Sequence, residues 1–246
     1  MRIMMMHKTA EHWEAGALPG PELIAGMGKL IEEMKQAGVF LAGEGLRPSS
    51  LGVRLKFDGG KRTLTPGPFA GSNELMAGFA LIRVKSMEEA IEWASRFASA
   101  VGDVEIDIRP VTEPWDLGLC PRPAGETTTR FMMAHKADEN SEAGVPPTSE
   151  LMAEMKTLTD DMVRAGVFLS AEGLQPSSMG VRLNFSAGRR TATDGPFTES
   201  KELIAGFVML QVSSLQEAIE YASRFASVVG DVEVDIRQLY EAPEIG

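Results

Sequence analysis

Arg190-Thr191-Ala192-Thr193-Asp194-Gly195-Pro196-Phe197 has an altered earlier copy in the same chain, Arg62-Thr63-Leu64-Thr65-Pro66-Gly67-Pro68-Phe69. Each copy follows a strand-like run. Asp-Gly at such a place reads as a tight turn, because both central residues take positive φ at low cost. Pro-Gly also turns a chain, through a different turn type and without an acceptor side chain. The later copy therefore keeps a candidate site carboxylate, Asp194, where the earlier one keeps only scaffold.

The two stretches also set the period of the chain. His135 follows His7 by 128 residues, and the same offset runs without a gap to Arg109 and Arg237, with well over half of the positions identical. Two copies are too few for a solenoid. Each is read as a whole domain, the first over residues 1–112 and the second over 129–242, joined by a linker over 113–128 that contains Pro114, Pro121, Pro123, Gly118 and Gly125.

Each copy opens with a short strand, Arg2 to His7 or Arg130 to His135. Leu23, Met27, Leu30 and Met34, matched by Leu151, Met155, Leu158 and Met162, mark one face of a helix. Gly38 and Gly166 follow as left-handed caps. A strand through Val39 to Glu44 and an alternating strand through Val53 to Phe57 come next. Phe79 to Val84 and Phe207 to Val212 are apolar almost throughout, as in strands buried on both faces. Ser86-Met87-Glu88-Glu89 and Ser214-Leu215-Gln216-Glu217 are capping-box starts of a second helix. Val104-Glu105-Ile106-Asp107-Ile108-Arg109 alternates apolar with charged, the pattern of a strand with one wet face.

This order gives an α+β fold with helices on one face of each sheet. The second apolar face still needs cover, and the other copy is the simplest cover. The expectation is two ferredoxin-like repeats of the dimeric α+β barrel type, sheet against sheet, forming an intrachain pseudo-dimer.

A formal net charge of −11 over 246 residues argues against nucleic-acid binding as the main function. Cys120 is the single cysteine, so no intrachain disulfide forms. Ile3-Met4-Met5-Met6 before His7 is too short for a signal-peptide core or a membrane span, and cytoplasmic placement is expected.

Glu44 and Glu172 end strands read as buried, where a carboxylate gains a raised pKa and serves as acid or base. The plainer reading pairs them with Arg54 or Arg182, and strand register decides. Ser177 and Ser178, like Ser49 and Ser50, offer hydroxyls to an anion or simply form a loop. His135 and His7 end the first strands, with Lys136 and Lys8 on the opposite face. No spacing of Cys, His or carboxylates predicts a metal site, and no Gly-rich loop between strand and helix predicts a nucleotide site.

Glu172-Gly173-Leu174-Gln175-Pro176-Ser177-Ser178, Asp194-Gly195-Pro196-Phe197, Lys201-Glu202-Leu203-Ile204-Ala205-Gly206-Phe207 and Glu217-Ala218-Ile219-Glu220 together resemble the YCII-related family, in the branch named for its Asp-Gly-Pro-Phe motif. The resemblance covers both repeats and implies a dimeric α+β barrel of ferredoxin-like type. Most members have no established activity. Some relatives are dehalogenase-like or muconolactone-type enzymes with a proposed His–Asp pair, and gene neighbourhood has given the branch transcription-related labels. Asp194 matches the motif aspartate and Pro66 replaces it in the first repeat. Where many members of the branch have a histidine in the first helix, this chain has Met27 and Met155.

The resulting expectation is a protein that binds a small organic molecule, or acts on it by acid–base chemistry, in a cleft of the second repeat. Glu172 or His135 would carry the proton, Asp194 orient, and Arg182 clamp an anion, with Ser177, Ser178, Glu44 and Arg54 as further ligand-binding residues. No cofactor, metal or membrane partner is expected. The alternative is a non-catalytic binding or regulatory module, linked to transcription by analogy. Two outer surfaces remain after the internal pairing, which leaves room for a homodimer of the tandem chain.

Overall fold

The computed structural model describes residues 1–69, 74–197 and 203–241. The first repeat supplies β1 (Arg2–Lys8), α1 (Glu11–Glu14), α2 (Pro21–Gln36), β2 (Phe40–Gly45), β3 (Val53–Asp58), β4 (Lys61–Pro66), β5 (Met76–Val84), α3 (Met87–Val101) and β6 (Val104–Pro110). The second supplies β7 (Thr129–Lys136), α4 (Glu139–Glu142), α5 (Ser149–Arg164), β8 (Phe168–Gly173), β9 (Val181–Ser186), β10 (Arg189–Asp194), β11 (Ile204–Gln211), α6 (Leu215–Val229) and β12 (Val232–Gln238). Local chemistry sets these boundaries as expected. Ser86 accepts from the Glu89 amide at 3.3 Å, and Ser214 from the Glu217 amide at 3.2 Å. Gly38 (φ 72°) and Gly166 (φ 70°) turn the chain out of α2 and α5.

The strands form two antiparallel six-stranded sheets, in the orders β10-β9-β12-β1-β11-β2 and β4-β3-β6-β7-β5-β8. Two compact units follow, one of Met1–Gly45 with Leu174–Gly246 and the other of Leu46–Gly173. We call them unit 1 and unit 2. In unit 1, the β12-β1-β11-β2 portion with α2 and α6 is ferredoxin-like, and the β9–β10 hairpin extends it. Unit 2 repeats the plan with β6-β7-β5-β8, α3 and α5, extended by β3–β4.

The two units are not the two repeats. Unit 1 takes β1, α2 and β2 from the first repeat and the rest of its sheet from the second; unit 2 does the converse. The exchanged strand is central. Met5 lies opposite Ile236 on one side and Val208 on the other, and in unit 2 Met133 lies opposite Ile108 and Ala80. Because the two copies share the same apolar pattern, that pattern alone does not say which copy's strand fills the slot.

One face of each sheet carries the helices. In unit 1, Leu30, Met34, Ala222 and Phe225 pack on Ile3, Met5, Leu183 and Ile236. In unit 2, Ala94, Ala98, Leu158 and Met162 pack on Leu55, Ile82, Ile108 and Met133. Each Leu, Ile, Met or Phe side chain among them contributes about 1.5–3 kcal/mol when fully buried, and each alanine less. The alternate residues Met4, Met6, Phe207 and Met209 are buried on the other face, as the run of apolar residues in these strands requires.

Two sequence expectations are corrected. The tight hairpin turns fall at Gly59-Gly60 (φ 56° and 77°) and Ala187-Gly188 (φ 49° and 72°), not at the Gly-Pro stretches. Neither Gly67 nor Gly195 takes a left-handed φ. The charged face of β6 and β12 is also largely dry: Asp107, Arg109, Asp235 and Arg237 are all buried, and only Glu105 and Glu233 at its start keep partial exposure. Alternation identified the face correctly, but its aspartates pair with cations of neighbouring strands and its arginines donate to the Arg47 and Gln175 carbonyls. Lys201 and Glu202 of the family-like stretch lie outside the described residues.

Candidate functional site

On the face away from the helices, each unit holds a compact ion cluster built on the Glu-x-Asp-x-Arg strand. In unit 2, register sets Arg54 of β3 opposite Asp107 of β6. Arg54 Nε donates to Asp107 Oδ1 at 2.6 Å and Nη2 to Asp107 Oδ2 at 2.9 Å. The same Nη2 reaches both oxygens of Glu74 at 2.9 Å. Lys136, at the end of β7, donates to Asp107 at 2.7 Å and also to Glu74.

Unit 1 repeats the triangle. Arg182 Nε donates to Asp235 Oδ1 at 2.6 Å and Nη2 to Oδ2 at 2.9 Å, while Lys8 Nζ pairs with Asp235 Oδ2 at 2.8 Å. Lys8 belongs to the first repeat and Asp235 to the second, so the segment exchange brings the two halves of the cluster together. Charge pairs this dry cost several kcal/mol to desolvate and hold only when fully paired.

These surroundings set the ionisation. Desolvation pushes the Asp107 carboxyl up, but the Arg54 hydrogen bond and the Lys136 charge outweigh it and hold it below the usual carboxylate range. Asp235 is held down likewise, against desolvation, by Arg182 and Lys8. Desolvation also works against the Arg54 charge, yet Asp107 and Glu74 raise its pKa above the ordinary arginine value.

The Gly-Pro-Phe stretch turns out to serve this arginine. The Phe197 amide donates to Ser177 Oγ at 2.9 Å, and the Phe69 amide to Ser49 Oγ at 3.2 Å. A Cβ on Gly195 would sit 1.8 Å from the Ser177 carbonyl oxygen, and one on Gly67 1.8 Å from that of Ser49. Only glycine lets the turn close so tightly on the preceding 3-10 turn. The phenylalanine is thereby laid against the guanidinium, with Arg182 4.5 Å from the Phe197 ring centroid and Arg54 4.7 Å from that of Phe69. Ser177 is fully buried in this bracing role, whereas Ser178 is exposed.

The remaining expected residues are spread out. His135 and Lys136 do point to opposite faces, and both faces are occupied. His135 stacks on Phe97 of α3 with centroids 5.1 Å apart and sits over Gly78, where a Cβ would come within 2.7 Å of its Cε1. Desolvation there lowers its pKa to about 4, and His7, stacked on Phe225, is lowered in the same way to about 4. His135 therefore lies in the helix layer, on the face opposite the ion cluster.

Glu172 does share the cluster's face, but along the row Arg54, Asp107, Ala134, Phe79, Glu172 it stands at the far edge of the sheet. Four strand spacings separate it from Arg54, roughly 19 Å. Glu44 occupies the same place on β2 of unit 1, opposite Phe207. Asp194 is exposed at the end of β10, one register step beyond Thr193, which faces Arg182. Within a single unit the structure joins Arg182, Ser177 and the Asp194 stretch; Glu172 and His135 belong to unit 2.

Sequence reasoning missed Asp107, Asp235, Lys8, Lys136 and Glu74. The available signal was Glu-x-Asp-x-Arg, repeated unchanged in its charged positions.

Beside Arg54 the helix-free face opens into a groove of about 290 Å³, lined by Arg54, Lys56, Asp58, Lys61, Thr63, Thr65 and Glu105. Arg54 Nη1 donates to none of the described residues. Glu105 lies 3.4 Å from Arg54 Nε, whose hydrogen is already given to Asp107. Among the described residues no group of three or more His, Cys, Asp and Glu side chains is placed to hold a metal, and no helix is long and apolar enough to cross a membrane.

Comparison with known proteins agrees with the duplication. The YCII-related domain matches residues 1–113 and again residues 129–238. An uncharacterized protein of Rhizobium meliloti (strain 1021) is 31% identical over 98 residues, covering 39% of this chain and 79% of that protein. No solved structure matches the chain significantly.

Proposed function

We infer that this chain, which belongs to the YCII-related family in both of its repeats, binds a small organic acid on the helix-free face of its sheets. Arg54 anchors the acid in unit 2 and Arg182 in unit 1. One observation carries the reading: the groove of about 290 Å³ has as its wall an arginine already fixed in place. An Asp fork on one edge and a phenylalanine on its face hold Arg54, so a carboxylate meets a preorganised donor and little ordering is left to lose. Thr63 and Thr65 add hydroxyls on the neighbouring strand. In unit 1 the corresponding set is Arg182, Thr191 and Thr193, with Asp194 beyond them as the mark of the Asp-Gly-Pro-Phe branch.

Binding is better supported than turnover. A proton carrier needs to lie within hydrogen-bond reach of its substrate, directly or through one water. His135 is on the helix side, and Glu172 is at the opposite sheet edge from Arg54. Acid–base chemistry is the second reading, and the exposed Asp194 beside the Thr193–Arg182 pair is what favours it. A transcription-related role has the net charge of −11 against it.

A thermal-shift screen of small carboxylic acids, followed by calorimetric titration of the hits, tests the proposal. Thr63→Val with Thr65→Val should weaken binding about thirtyfold while leaving the unliganded melting temperature in place, since two exposed hydroxyls each contribute about 1 kcal/mol. A panel in which no acid binds would overturn it. Product appearing from a bound acid, and ceasing in Asp194→Asn, would favour the second reading.

A further inference from the structure

Resting on that reading, we propose that the acid bound at the β3–β4–β6 groove is a zwitterion, a small α-amino acid recognised by its carboxylate and its ammonium together. Two unspent groups of opposite sign stand side by side there. Arg54 has Nη1 left after its bonds to Asp107 and Glu74. Glu105, on the adjacent strand two residues before Asp107, makes an ion pair with Arg54 at 3.4 Å but receives no hydrogen bond from a described residue, and its side chain is 31% exposed.

An anion alone would meet Arg54 favourably and Glu105 unfavourably; a bare amine would meet the reverse. A molecule that carries both charges on neighbouring atoms satisfies both groups and leaves the internal cluster intact. The rest of the lining continues the alternation, with Lys56 against Asp58 at 3.3 Å and Lys61 at the rim. The volume of about 290 Å³ suits a compact ligand. Unit 1 keeps the arginine, the glutamate and both threonines as Arg182, Glu233, Thr191 and Thr193, while Asn184 and Ser186 replace the Lys56–Asp58 pair. The positions that differ are rim positions, and those that recognise the two charges are the ones held in common.

The full chain should be titrated calorimetrically with the common L-amino acids and, for the tightest of them, with its deaminated acid and its amide. The amino acid is expected to bind about tenfold or more tighter than either analogue, the loss of one charged hydrogen bond. Glu105→Gln should abolish the preference over the deaminated acid, weakening the amino acid while the deaminated acid, relieved of the Glu105 charge, binds more tightly than before. Deaminated acids that bind as tightly as the amino acids would overturn the zwitterion and leave acid binding standing. A panel in which neither class binds would overturn both.

Discussion

The ion clusters of the two units are the same triangle built from opposite donors. In unit 2 the second repeat supplies the lysine and the first supplies Arg54 and Asp107; in unit 1 the first repeat supplies Lys8 and the second supplies Arg182 and Asp235. Around that constant interior the rim has changed, with Lys56, Asp58, Lys61 and Pro66 in one copy against Asn184, Ser186, Arg189 and Asp194 in the other. Buried charges hold one another in place, and exposed ones are free to vary, because an exposed pair is worth only about 0–1 kcal/mol.

The largest effect should come from breaking the triangle. Asp107→Ala and Asp235→Ala should each cost about 3–5 kcal/mol in denaturant unfolding, by removing the buried carboxylate that an arginine and a lysine share. Equal losses would mark the clusters as equivalent. A loss under about 1 kcal/mol in one of them would show that its charges find other partners.

Next comes the turn that braces the arginine. Gly195→Ala and Gly67→Ala should each destabilise by about 1–3 kcal/mol or more, as overpacking against a carbonyl oxygen does. Gly195→Ala should also disturb ligand binding through Phe197.

Acid should act on both units through their histidines. The folded pKa of about 4 for His7 and His135 lies below the ordinary 6.5, so the unfolded chain binds more protons between these values. Stability should therefore fall as pH drops below about 6.5 and this contribution should level off below about 4. The contribution of Asp107 and Asp235 is present above 3.8, their ordinary value, and is lost as pH falls through their depressed folded pKa values. His135→Gln should remove about half of the histidine-linked slope in a pH series of melting temperatures, if the two units respond alike.

The smallest effect separates the hairpins. Ala187 occupies a left-handed turn position where the other copy has Gly59, so Ala187→Gly should stabilise the chain by about 1 kcal/mol. Gly59→Ala should destabilise it by a similar amount.

Much of this was legible in the sequence. Helix stripes such as Leu30 and Met34, the Ser86 and Ser214 caps, and the Gly38 and Gly166 stops are local, and local chemistry decided them. Three features were not legible, each for a physical reason. The choice of β1 rather than β7 as the partner of β11 and β12 depends on which of two nearly identical strands arrives. The dryness of Asp107 depends on Lys136 and Glu74, which are distant in sequence. The Gly-Pro-Phe stretch looked like a hairpin turn because Asp-Gly can form one, whereas its glycine answers to the Ser177 carbonyl. Of the candidate site residues, Arg54 and Arg182 are held beside Asp107 and Asp235 on one face of the sheets, whereas His135 lies in the helix layer.

The account turns on each sheet being assembled from both repeats. Gly118 to Gly125 of the linker is exposed, so a specific protease site inserted after Ala124 can be cut in the folded full chain and the product weighed by sedimentation under native conditions. The account predicts that the two pieces stay together at the mass of the intact chain and part only on denaturation. Pieces that separate at once into two half-mass species, each with native circular dichroism, would contradict it.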